Sequence, residues 1–384
     1  MGCTNITTVT TPTARSESSM NASYQPLFVL TRGEVIESVH FGAAAVVDSS
    51  GELLAWLGDP QTVTYLRSSA KPFQALPFIE RGGHRAFGLD AEEIALLCAS
   101  HSGTDRHVEV VTRIQQKVGI QESHLQCGVH PPYDEATQRR LLLNGEQPTP
   151  NRHNCSGKHT GMLAHARLRD LPLDTYLDPT HPVQQDILKT FAEMCDLSPQ
   201  EVALGTDGCS APNFAVPLYN AALAYARLCD PRDLPTTRAE ACRTITSAMT
   251  SHPEMVAGPG RFDTRLMEVG DGRIVVKSGA EGYLAMGLLP GVLGEGAPGI
   301  GIVLKVSDGD LPRRGPGGTP RGRVRPAVAL EMLRQLGALD AESLKKLAEF
   351  GPRRPVYNWR KLTVGESRPE FRLHVSEAGR AYVS

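Results

Sequence analysis

The chain has 384 residues and a formal net charge of −2, from 40 Lys and Arg against 42 Asp and Glu. With 40% hydrophobic and 21% charged residues, it has a globular composition and can form one large domain or two lobes. The near-neutral balance argues against a general nucleic-acid binder, and no run of 18 apolar residues offers a membrane span.

Residues 1–25 are rich in Ser, Thr and Asn and lack the apolar core of a secretory signal, so a disordered tail is expected there. Met1-Gly2-Cys3 resembles a lipidation start, but Ile6 stands where a myristoylation site needs Ser or Thr. Eight cysteines spread thinly over the chain form no disulfide framework and suit the reducing cytoplasm as buried small hydrophobes. Short apolar runs at 28–30, 43–47 and 53–56 predict strands, the last two flanking the turn Asp48-Ser49-Ser50-Gly51.

From about Ser69 to Arg243 the apolar period becomes helical. Val108, Val111, Ile114 and Val118 share a face, as do Val183, Ile187 and Phe191, and Phe214, Leu218, Ala221 and Ala222. Strands return at 274–277, 283–286 and 301–306, followed by helices at 326–337 and 338–350. The stretch from Pro312 to Pro326 holds five arginines and no acid, which suits a solvated loop or an anion-binding flap. The expected architecture is α+β, an antiparallel sheet built from N- and C-terminal strands with an inserted helical lobe. The sheet lobe spans about 26–66 and 270–350 and the helical lobe about 85–255, together a catalytic domain of 26–350. Residues 351–384 form an extension of unassigned structure.

Three groups of residues carry chemistry. Ser68-Ser69-Ala70-Lys71 is an S-x-x-K motif in which Ser68 can cap a helix and Lys71 follows one turn later, on the same face. A serine hydroxyl needs a base to become a nucleophile, and a free lysine is neutral at pH 7 only at a cost of about 4.6 kcal/mol. Burial and a second cation nearby can remove most of that cost. Alone, the motif is better explained by a capped surface helix. Lys277-Ser278-Gly279 at a strand end is like the K-T-G element that accompanies S-x-x-K in penicillin-binding proteins and β-lactamases, and Ser100-His101-Ser102 takes the chain position of their middle motif without matching its S-D-N pattern. The order fits a nucleophile Ser68, a base Lys71, a shuttle Ser100 and a second cation Lys277. The third group is Asn154-Cys155-Ser156-Gly157-Lys158-His159, with Cys209 fifty residues on in Gly205-Thr206-Asp207-Gly208-Cys209-Ser210. Two thiols and a nitrogen make a zinc site with one open position, and ligand statistics favour His159 as the nitrogen; two buried free thiols are the alternative.

Together Arg67-Ser68-Ser69-Ala70-Lys71-Pro72, Cys98-Ala99-Ser100-His101-Ser102-Gly103, Cys127-Gly128, His153 to His159 and Thr206-Asp207-Gly208-Cys209 resemble the bacterial asparaginase II family, the class of the inducible, thermolabile Rhizobium etli enzyme. Pro253 to Gly258, Gly260-Arg261 and Lys277 to Gly282 are similar as well, so the resemblance covers about residues 27–340. It implies L-asparagine hydrolysis to L-aspartate and ammonia on a serine β-lactamase-like fold, as a homodimer that acts on a small molecule rather than a nucleic acid or membrane. By the same resemblance Ser68 with Lys71 and Ser100 with Lys277 are two Ser-Lys pairs, Ser68 being the nucleophile. Cys155, Lys158 and Cys209 match the zinc ligands, so the family uses Lys158 where statistics choose His159. Asp207 lies beside the metal's water, and Arg67, Asn154, Asp207 and Arg261 match substrate-binding positions. Two other readings stay open: a hydrolase in which zinc water does the chemistry and Ser68 stands by, and a non-catalytic protein that binds an amino-acid amide.

Overall fold

The computed structural model describes residues 23–310 and 323–382 and, between them, the backbone of 313–314 and 320–321. The strands are β1 (Gln25–Arg32), β2 (Val35–Asp48), β3 (Leu53–Leu57), β4 (Val63–Tyr65), β5 (Ala203–Thr206), β6 (Pro212–Pro217), β7 (Ile274–Ser278), β8 (Tyr283–Leu288), β9 (Ile300–Val306), β10 (Arg313–Arg314), β11 (Pro320–Arg321), β12 (Arg354–Tyr357), β13 (Thr363–Pro369) and β14 (His374–Val375). The helices that matter here are α1 (Lys71–Glu80), α2 (Ala91–Leu97), α3 (Asp105–Val118), α4 (Glu135–Leu143), α5 (Ser156–Leu168), α6 (Pro182–Met194), α7 (Leu218–Cys229), α8 (Thr236–Ser251), α9 (Phe262–Val269), α10 (Arg325–Gln335) and α11 (Ala341–Lys346).

Nine strands form the main sheet, ordered β12-β13-β1-β2-β9-β8-β7, with β3 on β2 and β14 on β3. The expected junction of the two chain halves is present: Ala43 to Val47 pair antiparallel with Lys305 to Gly301, residue for residue. Both runs are Val-, Ile- and Ala-rich and buried on both faces, which explains why they are continuously apolar rather than alternating. α7 covers one face of the sheet, against β9, β2 and β8, and the α9 and α10 side covers the other. The helical lobe, α1 to α6 and α8, lies between the strands in chain order, with α1, α2, α5, α6 and α8 packed on one another. This is the α+β layout expected of a serine β-lactamase-like chain: S-x-x-K enters a helix and K-S-G ends the neighbouring edge strand.

Several expectations are corrected. Phe214 does not extend a helical face; it sits in β6, because the Pro217 ring ends the strand and α7 begins only at Leu218. β6 pairs with β4 and β5 in a second, three-stranded sheet inside the helical lobe. The helix expected over 338–350 shrinks to α11, capped by the Asp340 side chain and ended at Leu347. The C-terminal extension is part of the main sheet: β13 pairs with β1, β12 with β13, and β14 with β3. Gln25, placed in the tail, already opens β1. The rest of the tail up to residue 22, and most of the arginine-rich stretch 312–326, lie outside the described residues. Among the described residues no helix is long and apolar enough to cross a membrane.

The seam between α7 and the sheet is set by glycine. A Cβ at Gly301 would stand 1.7 Å from Ala222 O, and one at Gly287 would stand 2.3 Å from Cys229 Sγ, so the helix lies closer to β8 and β9 than any side chain permits. Replacing Gly301 by Ala is expected to push α7 off the sheet and cost about 3 kcal/mol, read as a fall of roughly 4 °C in Tm. An unchanged Tm would mean that this seam has slack.

Candidate active site

The S-x-x-K turn is built under strain. Arg67 has φ 53°, a left-handed conformation that costs a non-glycine residue about 1–3 kcal/mol. Two contacts hold it there: Arg67 N donates to Asn213 Oδ1 (3.1 Å), and Arg67 Nε donates to Asp207 Oδ1 (2.7 Å). Ser68 lies in the single 3₁₀ turn Arg67–Ala70 that follows and does not cap the helix. α1 starts at Lys71 with Ala70 before it and no side-chain cap, since Pro72 in the first turn already lacks the N–H that a cap would satisfy. The consequence is a half-buried Ser68 beside a fully buried Lys71.

Lys71 Nζ has four acceptors around it: Ala99 O, Ser100 Oγ at 2.8 Å, Asn154 O at 3.4 Å and Cys155 Sγ at 3.2 Å. The hydroxyl bonded to Lys71 is therefore that of Ser100. Lys277, fully buried near the end of β7, donates to Ser278 O (2.8 Å). Burial pulls the Lys277 amine down to about 7; Asp263 opposes that shift, while Lys71 and Arg261 reinforce it. Lys71 on the helix and Lys277 on the strand thus lie within electrostatic reach of one another.

Sequence reasoning passed over the residues that hold these groups in place. Ser69 Oγ donates to Lys277 O (2.7 Å), and Tyr225 OH on α7 donates to Ser69 O (2.7 Å). The S-x-x-K turn, the K-S-G strand and the helix under the sheet are thereby joined. A Cβ at Gly279 would stand 2.5 Å from Leu66 O, so the third residue of K-S-G must be glycine for the strand to reach the turn. Asp263, buried on α9, accepts from Ser278 N (2.7 Å) and Ser278 Oγ. Burial works against its charged form, but Lys277 and Arg261 prevail and hold its carboxyl below the usual range. Its only trace in the sequence is its place two residues after Arg261.

The remaining site candidates surround these. Arg261 Nη1 donates to Ser100 O (3.2 Å), and its guanidinium lies 5.9 Å over the Tyr133 ring. Asn154 N donates to His130 Nε2 (3.1 Å), whose ring stacks on Tyr133 at 4.8 Å. Asp207 is held below the usual carboxylate range by Lys158 and Arg67 against the effect of burial.

Cys155, Lys158 and Cys209 converge. Lys158 Nζ donates to Cys209 Sγ (2.8 Å), and the two sulfurs share a hydrogen bond. That bond holds the Cys155 thiol well below its usual value against burial, helped by Lys71 and Lys158, and it pushes Cys209 up together with burial. Burial pulls Lys158 down, yet the Cys209 and Cys155 sulfurs raise it to about 12. Among the described residues no three His, Cys, Asp or Glu side chains gather as a metal cluster. His159, the statistical choice of ligand, has Nδ1 2.6 Å from Tyr176 OH and interacts with the Cys209 side chain, while its buried Nε2 has no hydrogen-bond partner among the described residues. The donors gathered there are two thiols, the Lys158 amine and the His159 ring.

The model of the family described as L-asparaginase II matches residues 28–369. The chain belongs to that family. Membership makes it an amidohydrolase, and the match reaches beyond 340 to take in β12 and β13, which the motifs alone had left outside. No curated protein matches the chain. Among solved structures it is similar to the Bacillus subtilis glutaminase YbgJ in covalent complex with 5-oxo-L-norleucine, at 11% identity and a TM-score of 0.31, over 70% of this chain and 80% of that one. A probable glutaminase from Bacillus subtilis complexed with 6-diazo-5-oxo-L-norleucine gives 13% identity and a TM-score of 0.34, over 76% and 83%. Mglu in its native form gives 16% identity and a TM-score of 0.35, over 79% and 67%.

The depressed Lys277 has a consequence for stability. Unfolded, the amine titrates near its ordinary 10.5; folded, it titrates near 7, so between those values the unfolded chain holds the extra proton. Stability from this group therefore rises with pH across that window, by up to about 1.4 kcal/mol per pH unit, and its penalty is fully present below pH 7. Urea midpoints at pH 7, 8 and 9 are expected to climb more steeply for the native protein than for Lys277→Met. Equal slopes would mean that Lys277 keeps an ordinary lysine pKa.

Proposed function

We propose that the protein is an L-asparaginase that hydrolyses the side-chain amide of L-asparagine through an acyl-enzyme on Ser68. The observation that carries this reading is the joint placement of the S-x-x-K turn and the K-S-G strand, tied by Ser69, with Lys71 on Ser100 and Lys277 driven to about 7. Ser68 Oγ attacks the amide carbon, and its proton passes to the lysine pair. Lys277 is the member whose amine is free in about half of the molecules at neutral pH, which meets the cost that a lone lysine base cannot. Ser100, bonded to Lys71, lies where it can return the proton to the amide nitrogen, so that the C–N bond breaks and ammonia leaves. Water then attacks the Ser68 ester, and the same lysines take its proton, releasing aspartate and restoring the hydroxyl. Arg67, Asn154, Asp207 and Arg261 are assigned to hold the substrate's charged groups, Arg67 and Asp207 offering opposite charges side by side.

The reading includes one zinc ion held by Cys155, Lys158 and Cys209. The donor set fits it: the hydrogen bond with Cys209 holds the Cys155 thiol well below its usual value, which favours the form a metal takes, and Lys158 lies on Cys209 at 2.8 Å with only its proton to give up. When bound, zinc supplies positive charge that favours an anionic substrate group and holds nearby amines deprotonated. The seven described cysteines are free and buried, which suits a reducing cytoplasmic setting.

Ammonia release from L-asparagine by purified protein tests the reading, and Ser68→Ala is expected to abolish it without loss of fold. Ser100→Ala should lower kcat more than it raises KM. Full turnover by the Ser68 variant would favour the zinc-water alternative. kcat/KM is expected to rise with pH through a limb near 7, and in Lys277→Met that limb should move; a limb left in place would remove Lys277 from the proton path. Elemental analysis should find about one zinc per chain and background levels in the C155A/C209A double variant, and equal metal in both would place zinc elsewhere.

A further inference from the structure

Ser100 reaches Lys71 from the loop that follows α2, and the next residue of that loop, His101, is fully buried and takes no part in the chemistry assigned so far. Lys71 Nζ is enclosed by two segments. Ala99 O and Ser100 Oγ come from this loop, and Asn154 O and Cys155 Sγ come from the residues that lead into α5. The spacing of those segments therefore decides whether Lys71 keeps the Ser100 hydroxyl as its partner. Packing brings them together, since a Cβ at Gly157 would stand 2.1 Å from Leu96 O. Packing has no direction, however, and a hydroxyl aimed at an amine needs one.

His101 supplies direction twice. Its backbone N donates to Asn154 O (3.2 Å), the same oxygen that accepts from Lys71. Its ring makes the second link. Gly103 N donates to Nδ1 (3.1 Å), so Nδ1 keeps its lone pair and the ring proton sits on Nε2. Nε2 donates in turn to Ser156 Oγ at 2.8 Å, and Ser156 Oγ donates to Asn151 O at 2.9 Å. Both ring nitrogens are thus used, one within the loop and one across to the start of α5. The plane of the ring is set by His107 of α3, stacked on it with centroids 4.8 Å apart, and His107 Nε2 is itself held 3.0 Å from Glu254 O. Burial pulls the His101 ring well below its usual value, and His107, Lys71, His153 and His130 all act in the same direction. The ring stays neutral and serves neither as acid nor as base.

We propose that His101 is a positioning residue: its Nε2–H on Ser156 Oγ holds the Ser100 loop to the start of α5, so that the Ser100 hydroxyl stays on Lys71. The inference rests on the Ser-Lys reading of the site. Two rates test it, ammonia release from L-asparagine and the labelling of Ser68 by phenylmethylsulfonyl fluoride, followed by mass spectrometry. His101→Ala is expected to lower kcat on the order of 10²-fold, the cost of misplacing a reacting group by about 1 Å, and to leave KM within about twofold. His101→Gln, whose amide nitrogen can reach Ser156 Oγ, should recover about tenfold of that loss. His101→Asn, which can only accept from Gly103 N, should recover none. Ser156→Ala should cost as much as His101→Ala, and the double variant no more than either, as two ends of one contact require. Should the alanine at 101 fail to fold, His101→Gln, His101→Asn and Ser156→Ala carry the test. Labelling of Ser68 should slow in the same order of variants. Additive losses, equal repair by Gln and Asn, or a rise in KM at unchanged kcat would overturn the positioning role. A native protein that releases no ammonia, yet whose Ser68 labelling follows that order, would overturn the proposed substrate and leave His101 in its role. Neither ammonia nor labelling in the native protein would overturn both.

Discussion

The hydrogen bond from Ser69 Oγ to Lys277 O joins the two parts of the chain from which the centre is made. One partner belongs to the turn that opens the helical lobe and the other to an edge strand of the main sheet, 208 residues later. That bond, with the close approach of Gly279 to Leu66 O, fixes the distance between the lysine on α1 and the lysine on β7. Tyr225 secures the turn from below through Ser69 O, and Asp263 secures the strand end through Ser278. The S-x-x-K turn and the end of β7 are therefore each held by neighbours that do no chemistry themselves.

The second constraint is the charge that this arrangement buries. Lys71, Lys158 and Lys277 are all removed from solvent within one region, which no chain tolerates without compensation. Each is compensated differently. Lys71 is surrounded by acceptors, Lys158 faces two sulfurs, and Lys277 gives up its proton near neutrality. The three responses come from the same amino acid, and the neighbours alone distinguish them.

What could be read from the residues follows from how local each signal is. The strands at 43–47 and 301–306 were legible because long apolar β-branched runs have few alternatives, and their pairing followed from the two-lobe arrangement. The S-x-x-K and K-S-G motifs were legible because their spacing is short. Asp263, Ser69 and Tyr225 were not, since each acts through a contact between segments far apart in sequence, and nothing beside them marks it. Phe214 was misplaced because a helical period continued by chance across Pro217. Ser68 as a helix cap failed for a related reason: a 3₁₀ turn and an α-helix start share the same residue types. Ligand frequency favoured His159 and the family resemblance favoured Lys158, and the two side chains both come to Cys209, because one turn of α5 carries them.

The pairing of β1 with β13 brings together residues 335 positions apart, as in the bond from Glu366 N to Thr31 Oγ1. During synthesis β1 is made early and its second neighbour, β13, more than 300 residues later. For most of that time one edge of the N-terminal hairpin offers unpaired N–H and C=O groups to any passing strand. The fold thus places its most exposed hydrogen-bonding edge at its slowest-closing contact, and a nascent chain stalled before residue 363 would present a sticky strand while every catalytic side chain was already made.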